Sequence, residues 1–320
     1  MADPNLSEIV TTTLRNRSKE FADNVSNGNA LLQHLEKRGN IKNANGGRTI
    51  VQEVDYAENS TFMYYNGYEQ LDISPSVVLS AAEFAWKQAA TVVSWSGLEI
   101  DVQNSGPHQV ADLLDARIRN SERTFANQIS TGIYSDGTGT GGKQIGGLQL
   151  LVADAPTTGT VGGINRANFS FWQNKTYDFS SASVTVSAGT FQIGMRKLWL
   201  RCLRGNDKTT FITSDETYYE FFWDSLTDIQ RITKSDRGDS GFEELAFKNV
   251  PVVYDGDSGH PSSHMYFLNT DYIFWRPHPK RNMVPLDRRM SVNQDATVLP
   301  VVFAGNMTAS NCARQGVLKA

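Results

Sequence analysis

The stretch SGPHQVADLLDARIRNSERTFANQISTGIY, from Ser105 to Tyr134, decides how the rest of the chain is read. The Ser105 side-chain oxygen can accept from the free N–H groups of a first helical turn, and Pro107 fits an early position that needs no donor. A helix is predicted to start here. Val110, Leu114, Ile118, Phe125 and Ile129 recur at spacings of four or seven, with Leu113 beside them. One apolar stripe therefore faces a neighbouring layer while Asp112, Arg119 and Arg123 face water. Asp115 and Arg119 can pair one turn apart, which adds at most a few tenths of a kcal/mol. About 27 residues at ~1.5 Å each give a rod of roughly 40 Å, against ~11 residues for an ordinary helix. Such a rod suits a scaffold better than a pocket.

After the rod the chain reads SDGTGTGGKQIGGLQLLV, Ser135 to Val152, with Gly132 or Gly137 placed to close the helix. Gly137, Gly142 and Lys143 satisfy the first seven positions of a phosphate-cradling G-x-x-x-x-G-K loop, but Gln144 stands where a magnesium-holding Ser or Thr is needed. That loop should also leave a strand and open a helix. Here it leaves a helix and enters Leu148 to Val152, which reads as a strand, so a flexible turn is favoured over nucleotide binding. A long amphipathic helix closing into D-G-T-G and then I-G-G-L resembles the tailed-phage major capsid proteins of the Hong Kong 97 phage type. The resemblance implies an α+β fold: an N-terminal arm (residues 1–45), an extended β-hairpin loop (46–76), a peripheral domain (77–186) whose spine helix is the rod at about 105–134, an α/β axial domain (187–290), and a C-terminal return to the peripheral domain (291–320).

Composition sets outer bounds. The chain has 320 residues, enough for a sizeable core, with 20% charged residues and a net charge of −4, so gripping a polyanion is not its main business. Cys202 and Cys312 lie far apart with no C-x-x-C pair; reduced thiols are expected, and a bridge between them stays open. MADPNLSEIV shows no secretory signal, and no run approaches ~18 apolar residues, so a soluble intracellular product without a membrane span is expected.

Upstream of the rod, residues 1–45 are polar with scattered apolar positions; a short helix is plausible over Ala30 to Lys37, but the segment reads as a loosely packed arm. By resemblance the arm lies across neighbouring subunits, and its shortness points to a separate scaffold protein or none. Thr49 to Tyr56 and Thr61 to Tyr65 read as the two strands of a hairpin with its tip at Glu58, Asn59 and Ser60. An isolated ribbon is marginal in water, so something must cover it. It packs either on its own chain or, as the resemblance implies, over an adjacent copy, with Glu58, Asn59, Phe62, Tyr64 and Tyr65 at the subunit interface. Ser74 to Ile100 is ambiguous: Ala81, Ala85 and Ala89 suit a helix, whereas Thr91, Val92, Val93 and Trp95 suit a strand, and extended structure is favoured in its second half.

Downstream, Thr157 to Trp172 reads as a Gly- and Asn-rich connector with aromatic anchors, in preference to a base-stacking site built on Arg166, Phe169 and Trp172. Phe191, Met195, Leu198, Trp199 and Cys202 share one helical face, and Arg196, Lys197, Arg201 and Arg204 lie away from it. Thr209 to Thr213 is a short β run, Asp215 can cap a second helix reaching about Arg231, and Val250 to Tyr254, Met265 to Leu268, Tyr272 to Trp275 and Thr297 to Phe303 are strands. His260, His264 and His278 lack the helix and the neighbouring ligands that a metal sphere needs.

No G-x-S-x-G elbow, H-E-x-x-H helix or dinucleotide fingerprint is present, so the chain is not expected to be an enzyme or to hold a cofactor or metal. The features that stand out are surfaces in need of partners. The resemblance implies a major capsid protein of the virion, assembled in the host cytoplasm with itself as pentamers and hexamers into an icosahedral shell. That shell would enclose double-stranded DNA without sequence-specific binding, and portal, scaffold and decoration proteins are its further implied partners. A slightly acidic chain fits a container that must not grip its DNA. An encapsulin-like compartment and a soluble α+β enzyme are the alternatives.

Overall fold

A computed structural model of the chain describes residues 28–97, 107–226, 244–255, 259–287, 289–290 and 293–320, and the side chains of its longest helix from Arg117 onward. That helix spans Pro107–Ile133, 27 residues, as the periodicity predicts. Ile118, Phe125, Ile129 and Ile133 are buried along one stripe. Ser105 and the side chains of Val110 and Leu114 lie outside the described residues.

Three strands precede the helix: β1 (Ile50–Asp55), β2 (Leu79–Phe84) and β3 (Lys87–Ser96). β1 pairs with β2 antiparallel, Ile50 opposite Phe84 and Val54 opposite Ser80. The return strand of the ribbon is therefore Leu79–Phe84, not Thr61 to Tyr65. Burial explains the correction: Ile50 and Val54 on β1 and Ala82 and Phe84 on β2 all turn to the core, the alternation a half-buried ribbon requires, while Thr61–Tyr65 places two tyrosines side by side with no alternation. The helical reading of Ala81, Ala85 and Ala89 also falls, because β2 and β3 are extended from Leu79 to Ser96 apart from Ala85 and Trp86.

The helix ends where the glycine run begins. Asp136 accepts from Thr138 N at 2.9 Å and from its hydroxyl, and these bonds hold the carboxyl below its ordinary range. Gly137 follows at φ 77°, in the left-handed region. Gly147 N donates to Ser135 O at 3.0 Å, which brings the chain so close that a Cβ at 147 would overlap the Ile133 carbonyl. Leu148–Leu151 is then a helical turn rather than a strand. A strand would send Leu148 and Leu151 to opposite faces, whereas the turn buries both beside Val152.

Beyond it, β4 (Thr160–Val161) and β5 (Ile164–Asn165) form a two-stranded clip that backs the ribbon through Glu83 N to Gly162 O, 2.9 Å. The remaining strands are β6 (Lys175–Asp178), β7 (Phe211–Ser214), β8 (Glu244–Phe247), β9 (Val250–Tyr254), β10 (His264–Leu268), β11 (Ile273–Pro277), β12 (Val284–Pro285), β13 (Arg289–Met290), β14 (Ala296–Ala309) and β15 (Gly316–Lys319). β14 is the axis of one sheet, pairing β3 along one side and β11, β12 and β13 in turn along the other. Pro300 within it falls between the β12 and β13 pairings, where its missing N–H costs no ladder bond.

The second sheet has order β6-β15-β10-β7-β9-β8 and is buried on both faces. Met265 and Phe267 pack under the helices Ala188–Cys202 and Glu216–Ser225, whereas Tyr266 and Leu268 face the core of the long helix. The first of these helices buries Phe191, Met195, Leu198 and Cys202 as predicted, and the second is capped by Asp215, which accepts from Tyr218 N. It ends at Ser225, short of the predicted Arg231, which lies outside the described residues. The helix Ala30–Lys37 forms where expected, with Asn29 as its cap, but the segment is not loosely packed: Leu31, Leu32 and Leu35 are buried in the first core, and His34 stacks on Phe211 at 4.6 Å.

Candidate functional site

Between Asp55 and Leu79 the chain makes a loop of residues 56–78 with no strand or helix of its own. A structureless loop of this length is uncommon in a compact fold and ordinarily marks function. Its polar side chains fold it upon itself. Asn59 accepts from Thr61 N and Oγ1 at 3.0 and 2.8 Å, the Ser60 and Ser76 hydroxyls meet at 2.7 Å, and Asn66 N donates to Glu69 at 3.0 Å. The apolar side chains are left in water. Tyr64 and Ile73 are 91% and 93% exposed, and Phe62, Tyr65, Tyr68, Leu71 and Val77 are exposed with them. Scattered apolar residues on a surface are ordinary, but a run of this density marks a contact surface.

Of the predicted interface residues, Glu58, Asn59, Phe62, Tyr64 and Tyr65 are all on this loop and exposed. Phe62 and Tyr64 pack edge to face at 5.3 Å, and Glu58 reaches Arg204 at 3.5 Å, an exposed pair of little energetic weight. Ile118, Phe125 and Ile129 lie in the core instead, on the helix that packs against β3. Tyr68, Leu71, Ile73 and Val77, exposed on the same loop, are not singled out by a sequence reading that closes the hairpin at Tyr65. A signal was present: from Thr49 to Trp86 the chain holds six carboxylates and no Lys or Arg.

Rigid contacts hold the loop's base. Tyr56 packs on Phe171 at 5.6 Å, Arg276 donates to Gln52 at 2.7 Å, and Trp172, fully buried, donates to the Val161 carbonyl at 3.0 Å. Arg166 is buried as well and donates to the Leu151 carbonyl at 2.6 Å, so no base-stacking surface is built on it. In the glycine loop, the Lys87 ammonium bonds the Gly142 carbonyl, and an inward carbonyl is the reverse of what a phosphate needs.

Several buried or half-buried titratable groups have structural partners or are held inert by burial. Tyr134 donates to Asp255 at 2.5 Å, and burial followed by the Asp255 charge pushes its hydroxyl well above the ordinary range. His264 bonds Asp154 at 3.0 Å. Cys202 and Cys312 are free thiols, which burial pushes up to about 12 and about 11, so neither is poised as a nucleophile. Among the described residues no group of three or more His, Cys, Asp or Glu is placed to hold a metal ion, and no helix is long and apolar enough to cross a membrane.

No protein-family model matches the chain, and no curated protein matches it by sequence. Solved structures do. The chain is similar to a chain of the cyanophage A-1(L) capsid asymmetric unit, with a TM-score of 0.66 at 14% identity over 88% of this chain and 90% of that one. It is similar to a chain of the capsid of an empty GTA particle, at 0.56 and 13% over 88% of each. A holo-encapsulin complex from Synechococcus elongatus gives 0.54 and 11% over 87% of this chain and 83% of that one. These likenesses give the chain the Hong Kong 97 phage-type capsid fold.

Proposed function

We propose that this chain is a major capsid protein that assembles as pentamers and hexamers into an icosahedral shell enclosing double-stranded viral DNA. The observation that carries the reading is the loop of residues 56–78, which leaves a dense run of aromatic and aliphatic side chains in water on a chain whose fold is otherwise that of shell-forming proteins. Apolar surface of this kind is stable only when covered, and repetition of one contact by symmetry covers every copy's loop at once. Each standard interface removes about 1,200–2,000 Å² from water, so many individually weak contacts sum to a closed shell.

On this reading the long helix is the spine of a peripheral domain, and residues 187–290 form the axial domain that gathers at the symmetry centres. The role is structural rather than catalytic, in the virion, after assembly in the host cytoplasm. Portal, scaffold and decoration proteins are its further partners, and DNA is held by enclosure. Negative-stain microscopy of the expressed chain, alone and with neighbouring gene products, tests this. Closed shells are expected; well-folded material that elutes near 35.5 kDa at every concentration overturns it.

The encapsulin likeness favours a second reading, a compartment of the same fold built around protein cargo. Shells purified from the native source and found to contain protein cargo and no DNA would decide for it.

A further inference from the structure

Where residues 54–58 leave the ribbon, a cleft of about 560 Å³ opens between them, residues 170–175, Arg204 and the turn of residues 310–314 that joins β14 to β15. Its cations outrun their partners. Lys175 and Arg314 are half-buried, and the Arg314 Nε is shut off from water. Neither side chain makes a hydrogen bond or an ion pair among the described residues. Charged groups drawn out of water ordinarily have a counter-ion, and the neighbouring groups supply none. The Cys202 thiol, on which both cations act, is kept neutral by burial, and the Tyr272 hydroxyl, on which Arg314 also acts, is spent on Asp207 at 3.0 Å. Arg204 meets only Glu58, at 3.5 Å, with both side chains largely in water.

A fourth cation stands behind the wall. Arg166 is 1% exposed, its Nη2 donates to the Leu151 carbonyl, its Nε has no partner, and it meets no carboxylate among the described residues. Its carbonyl accepts from Gln173 Nε2 at 2.6 Å, and its guanidinium lies beside the Cys312 thiol, between the lining residues Asn311 and Ala313. Against these four charges the cleft sets Asp55 and Glu58, both exposed. The interior is therefore positive, and walls of low dielectric concentrate anions there.

The donors select the kind of anion. The guanidiniums of Arg204 and Arg314 are planar forks suited to paired oxygens, Lys175 adds a point charge, and the Ser170 and Ser310 hydroxyls add neutral donors. We propose that this cleft binds a phosphate dianion, free or as the terminal group of a small ester, among Lys175, Arg204 and Arg314. The volume leaves room for the body of an ester beside the half-buried rings of Tyr56 and Phe171. Every residue of the site belongs to one chain, so the proposal stands apart from the capsid reading and is tested on the dilute subunit.

Isothermal titration of the full chain at fixed ionic strength, with inorganic phosphate and with adenosine monophosphate, tests it. Saturable binding with a Kd at or below about 1 mM is expected for at least one of them. Tighter binding of the ester assigns the site to phosphate esters, and equal binding to free phosphate. Arg314→Gln and Lys175→Met should each weaken binding about tenfold or more at unchanged far-UV circular dichroism. If those half-buried replacements disturb folding, two exposed ones decide. Arg204→Gln should weaken binding, and Glu58→Gln, which removes an opposing charge, should strengthen it about twofold or more. Heat that does not saturate, or affinity that neither exposed variant moves, overturns the proposal. So does binding of duplex DNA that depends on these residues with no binding of either phosphate, since the cleft would then serve a diester backbone.

Discussion

At the scale of single residues, two histidines, His260 buried and His264 partly so, give the chain opposing responses to acid. His260 is held between the rings of Tyr134 and Tyr266, at 4.9 and 5.2 Å, and burial, only partly offset by the Pro261 and Thr213 carbonyls, lowers its pKa to about 4. The unfolded chain takes up this proton near 6.5, before the folded chain does, so stability drains as pH falls from about 6.5 to about 4, by up to ~3 kcal/mol. For His264 burial also opposes the charge, but the Asp154 carboxylate and the Ser262 carbonyl outweigh it and raise the pKa. Its contribution is present in full below about 6.5 and is lost as pH rises through the folded value. In urea titrations of the dilute subunit from pH 7 to pH 4, His260→Phe should flatten the acid loss and His264→Gln should steepen it. Parallel slopes for both variants would show that neither site is linked to folding. A further expectation concerns the backbone. Gly147→Ala drives a methyl into the Ile133 carbonyl, which cannot yield without moving the helix end, and should cost about 2–4 kcal/mol in the same assay.

Elements show why some of the fold was legible in the sequence and some was not. The long helix, the helix at Ala30–Lys37 and the helix at Ala188–Cys202 announce themselves because each writes a 3.6-residue period over two or more turns, and burial follows that period in the structure. Where local pattern and tertiary demand diverge, the pattern misleads. Thr61–Tyr65 has the composition of a strand and is loop, since no strand among the described residues pairs with it; Ala81 and Ala89 have helical propensity and are strand, since β1 and β14 supply the partners. Of the exposed loop surface proposed as an interface, Glu58 to Tyr65 could be read from aromatics, whereas Ile73 and Val77 required knowing that the ribbon does not close until Leu79. The two classes of residue should separate experimentally. Phe125→Ala opens a cavity under β3 and should destabilise the subunit by about 3–4 kcal/mol, seen as a lower urea midpoint. The double variant Tyr64→Ser, Ile73→Ser removes only solvent-exposed apolar surface, so its urea midpoint should stay within about 0.5 kcal/mol of wild type while shells are lost. Retention of shells by that variant would take the loop out of the assembly contact.

For the molecule as a whole, the decisive arrangement is that one sheet serves two cores. Successive residues of β10 alternate between them, Met265 and Phe267 toward the helices Ala188–Cys202 and Glu216–Ser225, and Tyr266 and Leu268 toward the long helix. The same alternation holds at Ile212 against Phe211, Val252 against Val253 and Leu318 against Val317. Neither core can lose its packing without stripping one face of strands the other depends on, so the two cores are coupled through the sheet. On the proposed function such coupling suits ring and shell building, because a core already ordered leaves less conformational entropy to lose on association. Coupling of the cores predicts cooperative unfolding. Met265→Ala and Leu268→Ala, which open cavities in different cores, should each lower a single calorimetric transition by a similar amount, with near-UV and far-UV circular dichroism melting together. If instead Met265→Ala lowered one of two resolved transitions and Leu268→Ala the other, the halves would be independent domains joined by a passive sheet, and rigidity would have to come from the assembled shell rather than from the subunit.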